Sequence, residues 1–237
     1  YGYGYGYGYY GFDWTYILLI IGMLLSLAES ARLKSTFSYY RRIRSASGLT
    51  GAETAERILR AAGITDVHVR AISGSLTDHY DPRTKTVSLS EDIYDKTSLA
   101  AVGVAAHECG HAIQHAIGYA PLEFRSAIVP VANFGSTLSW PLFLIGLFSG
   151  IRPLVTAGIV LFSLAVLFQL VTLPVEINAS SRALKMLQST GILGSDETKG
   201  ARKVLTAAAM TYVAALAASI LQLLRLLILA GGRRRDD

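Results

Sequence analysis

Apolar and charged positions fall in long separate blocks along this chain. Between Arg125 and Glu176 the only charged residue is Arg152, which leaves residues 126–151 and 153–175 without charge. Each run is long enough to cross a hydrocarbon layer of about 30 Å as a helix. Together they predict a transmembrane hairpin turning near Gly150-Ile151-Arg152-Pro153. A third uncharged run, 204–224, is followed by Arg225 and the apolar stretch 226–230. It predicts another helix of spanning length, with one arginine near its end that can snorkel to the interface. The first apolar run, 14–28, lies at the lower limit for a span, and Trp14 and Tyr16 suit an interfacial belt. No lysine or arginine precedes it in 1–13, so it reads as a retained anchor helix and not as a secretory signal. The Tyr-Gly alternation of 1–10 is low in complexity and reads as flexible.

The block between anchor and hairpin, 29–125, has the polar punctuation of a folded unit. Thr50-Gly51-Ala52-Glu53 is a capping box that starts a helix ending at Gly63. Residues 66–72 alternate, with Val67, Val69 and Ala71 directed inward against His68 and Arg70. Thr77-Asp78-His79-Tyr80-Asp81-Pro82-Arg83 is rich in turn formers, and a short strand is expected at 86–89. The stretch 98–117 is apolar almost throughout and predicts a helix buried in protein or resting on the bilayer. The expected fold class is a mainly α membrane protein, a multipass bundle of three or four transmembrane helices with a small α+β, zincin-like subdomain on the cytoplasmic side. The expected division is an N-terminal tail (1–13), an anchor (14–28), the α+β unit (29–125), the hairpin (126–175), a helix and loop (176–203) and a C-terminal apolar helix (204–230).

Composition sharpens this picture. The 237 residues are 51% apolar and 16% charged, against roughly a quarter charged in ordinary soluble domains. That excludes a disordered chain and disfavours a wholly soluble enzyme. The net charge of +5 is mild, and no basic face with interleaved aromatics points to nucleic acid. Cys109 is the single cysteine, so neither an intramolecular disulfide nor a cysteine-rich zinc module can form. Any metal must be held by histidine and carboxylate.

Such a set stands in the apolar helix. His107-Glu108-Cys109-Gly110-His111 matches H-E-x-x-H, whose i and i+4 imidazoles lie on one helical face and can share one zinc. Glu108 then presents a carboxylate to the water that the zinc acidifies, which is the chemistry of metal-assisted peptide hydrolysis. Ionisable groups set among alanine, valine and glycine are costly unless paired or metal-bound. A catalytic zinc needs a third protein ligand and an open position. His115 lies one turn further along the same face, but three histidines on one straight helix do not converge on a tetrahedral ion, so it is expected to pack or to support a ligand. Glu176 is the better candidate. It opens Glu176-Ile177-Asn178-Ala179-Ser180 directly after an apolar run, where a helix leaving the membrane can return a carboxylate to the site.

These segments resemble the YugP-like bacterial membrane zinc metallopeptidases. The resemblance runs through Ser47-Gly48-Leu49-Thr50-Gly51, Leu76-Thr77-Asp78-His79-Tyr80-Asp81-Pro82, Ala105-Ala106-His107-Glu108, Gly110-His111-Ala112, Leu173-Pro174-Val175-Glu176 and Asn178-Ala179-Ser180. It implies a membrane-embedded gluzincin, with His107, His111 and Glu176 as ligands of one catalytic Zn2+, Glu108 as general base, and a protein or peptide as substrate. A more distant similarity is to the HtpX-type and prenyl-protein membrane proteases, whose third-ligand helix carries Glu-x-x-Ala-Asp. Ser180 stands here in place of that aspartate. The role of orienting a histidine then falls to Asn178 or to a group on another segment.

Further roles are expected near the zinc. An extended substrate is commonly held on a strand edge, for which 86–89 is the candidate. Tyr212, Arg182 and His79 are candidate donors to a transition-state oxyanion. The Asp78-His79-Tyr80-Asp81 loop could hold a second ion or occlude the site, although Asx-type turns also explain its composition. Arg32, Lys34, Arg41, Arg42 and Arg44 follow the first helix, which places the zinc on the cytoplasmic side of the cell membrane by the positive-inside rule. A complete last span would leave Arg233–Arg235 outside, against that rule, so the segment is re-entrant or lies within the protein, or else the orientation is reversed. A catalytically silent membrane scaffold with a structural zinc is the alternative function. A metal transporter fits less well, because residues 126–175 offer few polar groups beyond Asn133, Arg152 and Gln169.

Overall fold

The computed structural model describes residues 13–232. The Tyr-Gly tract and Arg233–Arg235 lie outside the described residues. In chain order the elements are α1 (Tyr16–Tyr40), α2 (Gly51–Ala61), β1 (His68–Ile72), β2 (His79–Asp81), β3 (Thr86–Ser90), α3 (Leu99–Ala116), α4 (Ala120–Ser149), α5 (Arg152–Ser189) and α6 (Ser195–Gly232). Four of them, α1, α4, α5 and α6, are long and apolar enough to cross a membrane. The protein is therefore a mainly helical membrane protein with a small α+β unit between its first and second spans.

Local signals place the elements of that unit. The Thr50 side chain accepts from the Glu53 backbone N–H while Glu53 accepts from the Thr50 N–H, closing the capping box at the start of α2. Ser98 caps α3 in the same way through the Ala101 N–H. The sheet runs β1-β3-β2, with β1 parallel and β2 antiparallel to β3. This order corrects the expectation that 86–89 offers an edge: β3 is the central strand, buried at all five positions, and both of its ladders are occupied. The free edges belong to β1 and β2. On β1, Val69 is half-buried as expected, but Ala71 is exposed at the end of an edge strand. The core joins Ile58 and Leu59 of α2, Val87 and Leu89 of β3, Val102 and Ala105 of α3.

The hairpin of α4 and α5 turns at Gly150, which takes φ 72° where a side chain would be strained. Its helices touch through small residues. A Cβ on Gly158 would stand 2.8 Å from the Phe143 backbone nitrogen, and one on Gly146 would stand 2.6 Å from that of Val155. Close backbone packing of this kind drives association where lipid removes the hydrophobic gain. The helix beginning at Arg152 does not stop at the membrane boundary. It continues for 38 residues, so Glu176 belongs to the same helix as the preceding span.

The re-entrant alternative for the last segment is not what the chain adopts. α6 is one continuous helix lying antiparallel to α1 along its length: Gly200 meets Tyr40, Ala218 meets Gly22, and Arg225 reaches Thr15. Arg225 is buried there, with its guanidinium 4.5 Å above the Tyr16 ring and 3.8 Å from the Asp13 carboxylate.

Candidate metal centre

α3 carries His107 and His111 on the face turned to α5, and α5 carries Glu176 opposite them. Helix backbones come this close because position 110 is glycine. A Cβ there would stand 2.4 Å from the Ala179 carbonyl oxygen. Glu176 Oε2 consequently lies 3.2 Å from His107 Nε2 and 3.5 Å from His111 Nε2. Ligand atoms on a tetrahedral zinc with bonds of about 2.1 Å are about 3.4 Å apart, so both separations match the edges of such a site. All three ligand atoms fall within 4.8 Å of one another, and His111 and Glu176 are buried. A carboxylate and two imidazoles, with no thiolate, suit a borderline ion such as zinc.

The neighbours of each ring decide which nitrogen is free for a metal. Gln114 donates its amide N–H groups to the Val175 carbonyl, at 2.9 Å, and to Asn178 Oδ1, at 3.0 Å. Since the backbone carbonyl can only accept, the Gln114 oxygen must face the other way, towards His111 Nδ1 at 3.0 Å. Nδ1 of His111 therefore carries the proton, and Nε2 offers its lone pair. Arg182 Nε donates to the same Asn178 oxygen at 2.7 Å, which completes a chain from Arg182 through Asn178 and Gln114 to His111. His107 Nδ1 stands 3.1 Å from Ser180 Oγ. Ser180 thus supports one histidine, and Asn178 supports the other through Gln114. On the far side of Glu176, Arg125 of α4 approaches Oε1 at 3.7 Å, which leaves Oε2 facing the histidines.

A cleft of about 190 Å³ opens beside this cluster, lined by Glu108, Glu176, Ser180, Asp78, Leu76 and Tyr212 among others. Burial raises the Glu108 carboxyl above the ordinary range, with His107 and His111 pulling it back. Burial likewise raises Asp78, against the pull of the Ser90 N–H at 2.7 Å and the Ser90 hydroxyl. Leu76, at the rim, holds a left-handed φ of 56°.

The candidate donors and the loop are distributed unevenly around the cleft. Tyr212 lines it close to Glu176. Arg182 points instead to Asn178 and stacks over Tyr119. His79 is exposed on β2, with Nδ1 on the Thr77 carbonyl at 2.9 Å. Asp81 forms the expected Asx turn by accepting from the Arg83 N–H at 2.9 Å, whereas Asp78 reaches across to β3. His115 Nδ1 and the Tyr80 hydroxyl are hydrogen-bonded at 2.8 Å, burial having pushed that phenol up to about 12, and the pair ties α3 to β2. Among the described residues His107, His111 and Glu176 form the group able to hold a metal. Gln114 and Arg125 are the contributors that sequence reasoning missed. A polar residue three positions after His111 on an apolar helix was a signal for the first. Nothing local marked the second.

Four helices able to span a membrane, and two histidines of α3 facing a glutamate on one of them, make this a membrane protein with a candidate metal centre. The chain belongs to the family described as "Putative neutral zinc metallopeptidase", which its residues 15–231 match. It is 49% identical over 220 residues to the "Putative membrane protease YugP" of Bacillus subtilis (strain 168), covering 92% of this chain and 98% of that relative. No solved structure matches the chain.

Proposed function

We propose that this protein is a membrane-embedded zinc endopeptidase of the gluzincin type, cleaving membrane or misfolded proteins at the cytoplasmic face of the cell membrane. The observation that carries the reading is the convergence of Nε2 of His107, Nε2 of His111 and Oε2 of Glu176 beside the Glu108 carboxylate. When bound, zinc supplies the Lewis acidity that polarises a peptide carbonyl and acidifies water. Gln114 holds the His111 imidazole in the tautomer that offers Nε2, Ser180 orients the His107 ring through Nδ1, and Arg125 turns Glu176 towards them. Glu108 accepts the proton of the attacking water and returns it to the leaving amine. The Tyr212 hydroxyl, on the cleft wall, donates to the oxyanion. The free edge of β2, adjoining Leu76 and Asp78 of the cleft, supports an extended substrate pairing with that strand.

The metal centre shares its side with Arg41, Arg42 and Arg44, which supports a cytoplasmic centre, whereas Arg152 and Arg225 at the opposite end, and Arg233–Arg235 following α6 in the sequence, weigh against it by the same rule.

Zinc content of the purified protein beside His107→Ala and Glu176→Ala tests the ligand set. Both variants are expected to lose the ion, and full zinc in both overturns the assignment. Glu108→Gln is expected to retain zinc and to lose cleavage of an unfolded protein substrate. Undiminished cleavage by that variant would refute the role of Glu108. Proteolysis absent from the zinc-loaded wild type would favour the scaffold.

A further inference from the structure

A second cavity, of about 430 Å³, lies between α1 and α6 and is lined by Arg32, Thr36 and Tyr39 on one side and by Arg202, Lys203 and Thr206 on the other. Arg32 follows the apolar block of α1 by about one turn, and Arg202 and Lys203 immediately precede that of α6. Because the two helices are antiparallel, all three cations line one cavity near where two adjacent candidate spans leave the hydrocarbon. Arg32 has Glu29 at 3.6 Å as its carboxylate partner. Arg202 and Lys203 form no ion pair among the described residues. Two unneutralised cations and a third shared one therefore face a cavity that also offers threonine and tyrosine hydroxyls.

We propose that this groove binds the headgroup of an anionic phospholipid. A phosphodiester supplies the negative charge that the cations lack and acceptor oxygens for the guanidinium fork and the hydroxyls. Its acyl chains then continue down the same face of α1, where Leu25, Ile21 and Ile17 follow Arg32 at helical spacing and are open to the surroundings. A soluble phosphate would satisfy the charge but leave that apolar surface unused, which is why the occupant is a lipid. The same stretches of helix present Leu33 and Phe37 of α1 and Val204 and Leu205 of α6 to the metal cleft. The lipid thus braces the back of the cleft wall. This proposal rests on the spans and the cation cluster, not on the peptidase reading.

Native mass spectrometry of the full chain in detergent, mixed with phosphatidylglycerol or phosphatidylcholine of identical acyl chains, tests it. The wild type is expected to retain phosphatidylglycerol in preference to phosphatidylcholine. Arg202→Ala/Lys203→Ala should weaken that binding roughly thirtyfold, the effect of removing two interfacial cations. Arg202→Lys/Lys203→Arg should keep it, and so should Arg57→Ala/Arg60→Ala on α2. Equal retention of the two lipids by the wild type would overturn the proposal, as would undiminished phosphatidylglycerol binding by the double alanine variant. If the alanine variant fails to fold, loss of binding in the charge-preserving variant would overturn it instead. Displacement of the lipid by millimolar inorganic phosphate would reassign the groove to a free anion and equally overturn it.

Discussion

Replacing Gly110 by alanine probes the packing that assembles the metal centre. The added Cβ would stand 2.4 Å from the Ala179 carbonyl oxygen, 3.0 Å from its carbon and 3.1 Å from its Cα, all of them backbone atoms that no rotamer change can move. Ordinary contact begins near 3.4 Å, so α3 and α5 must part by roughly 1 Å at their crossing. Overpacking of this kind costs about 1–3 kcal/mol, against a helix-propensity gain of about 1 kcal/mol for glycine to alanine. Global stability therefore changes little, falling by about 0–2 kcal/mol. The metal site responds more strongly, because zinc tolerates ligand displacements of only about 0.2 Å. Ala179 is three residues from Glu176, so a displacement of α5 carries the carboxylate with it.

Gly103 supplies an internal control on the same helix. A Cβ there meets its nearest neighbour, the Ala201 side chain, at 3.5 Å, so Gly103→Ala should be neutral or stabilising by up to about 1 kcal/mol. Competition with a fluorescent zinc chelator, alongside thermal unfolding in detergent, reads both quantities. Gly110→Ala is expected to bind zinc at least tenfold more weakly than wild type while still unfolding cooperatively, and Gly103→Ala to match wild type. If Gly110→Ala held zinc as tightly as Gly103→Ala, close approach of the two helices would not be what sets the ligand geometry.

Other consequences can be measured with the same preparations. Gln114→Leu removes the acceptor that fixes the His111 tautomer and should weaken zinc binding by roughly 10–100-fold in the chelator assay. Asp13→Ala leaves Arg225 buried with Thr15 and Tyr16 alone; since Asp13 is itself partly exposed, the expected loss is a modest 1–2 kcal/mol or so in thermal unfolding, whereas Arg225→Leu should be close to neutral. Burial holds the Asp78 carboxyl above its unfolded value of about 3.9, so the folded state binds that proton more tightly. The resulting stabilisation is complete below the unfolded value and is lost as pH rises through the folded one. Asp78→Asn keeps an oxygen for Ser90 but has no such proton, so its stability relative to wild type should climb from about pH 4 upward and then level off.

Much of this architecture was legible because it depends on local pattern. Uncharged runs marked α4, α5 and the apolar part of α6; Thr50 marked the start of α2; the spacing of His107 and His111 marked one face of α3. Glu176 was legible for a related reason, as a lone carboxylate at the end of an apolar run. What escaped depends on which elements become neighbours. β3 reads like any short strand, and only the sheet order shows that both its edges are taken. Gln114 reads as one polar residue in an apolar helix until the Val175 carbonyl fixes the direction of its amide. Arg125 stands at the mouth of a span like any boundary arginine, and only the return of α5 brings Glu176 to it. A full span of α6 conflicts with a simple charge count, and only its packing shows that it is one continuous helix lying along α1.

The metal centre and the membrane hairpin share one rigid part. Within six residues of α5, the Val175 carbonyl receives Gln114, Glu176 faces both histidines, Asn178 receives Gln114 and Arg182, Ala179 abuts Gly110, and Ser180 meets His107. Successive helical residues are rotated by about 100°, so a slip of one position would turn Glu176 away from α3 and break every one of these contacts together. That register is fixed at two places. Near the centre it is fixed by Gly110 against Ala179, and about 32 Å away along the same helix it is fixed by Gly158 against the backbone of Ser139 and Phe143. Both fixings are backbone against backbone, which leaves little room for sliding. The hairpin is therefore more than an anchor for a soluble site: it delivers Glu176, the proposed third ligand, and its packing determines the face that α5 presents to the two histidines.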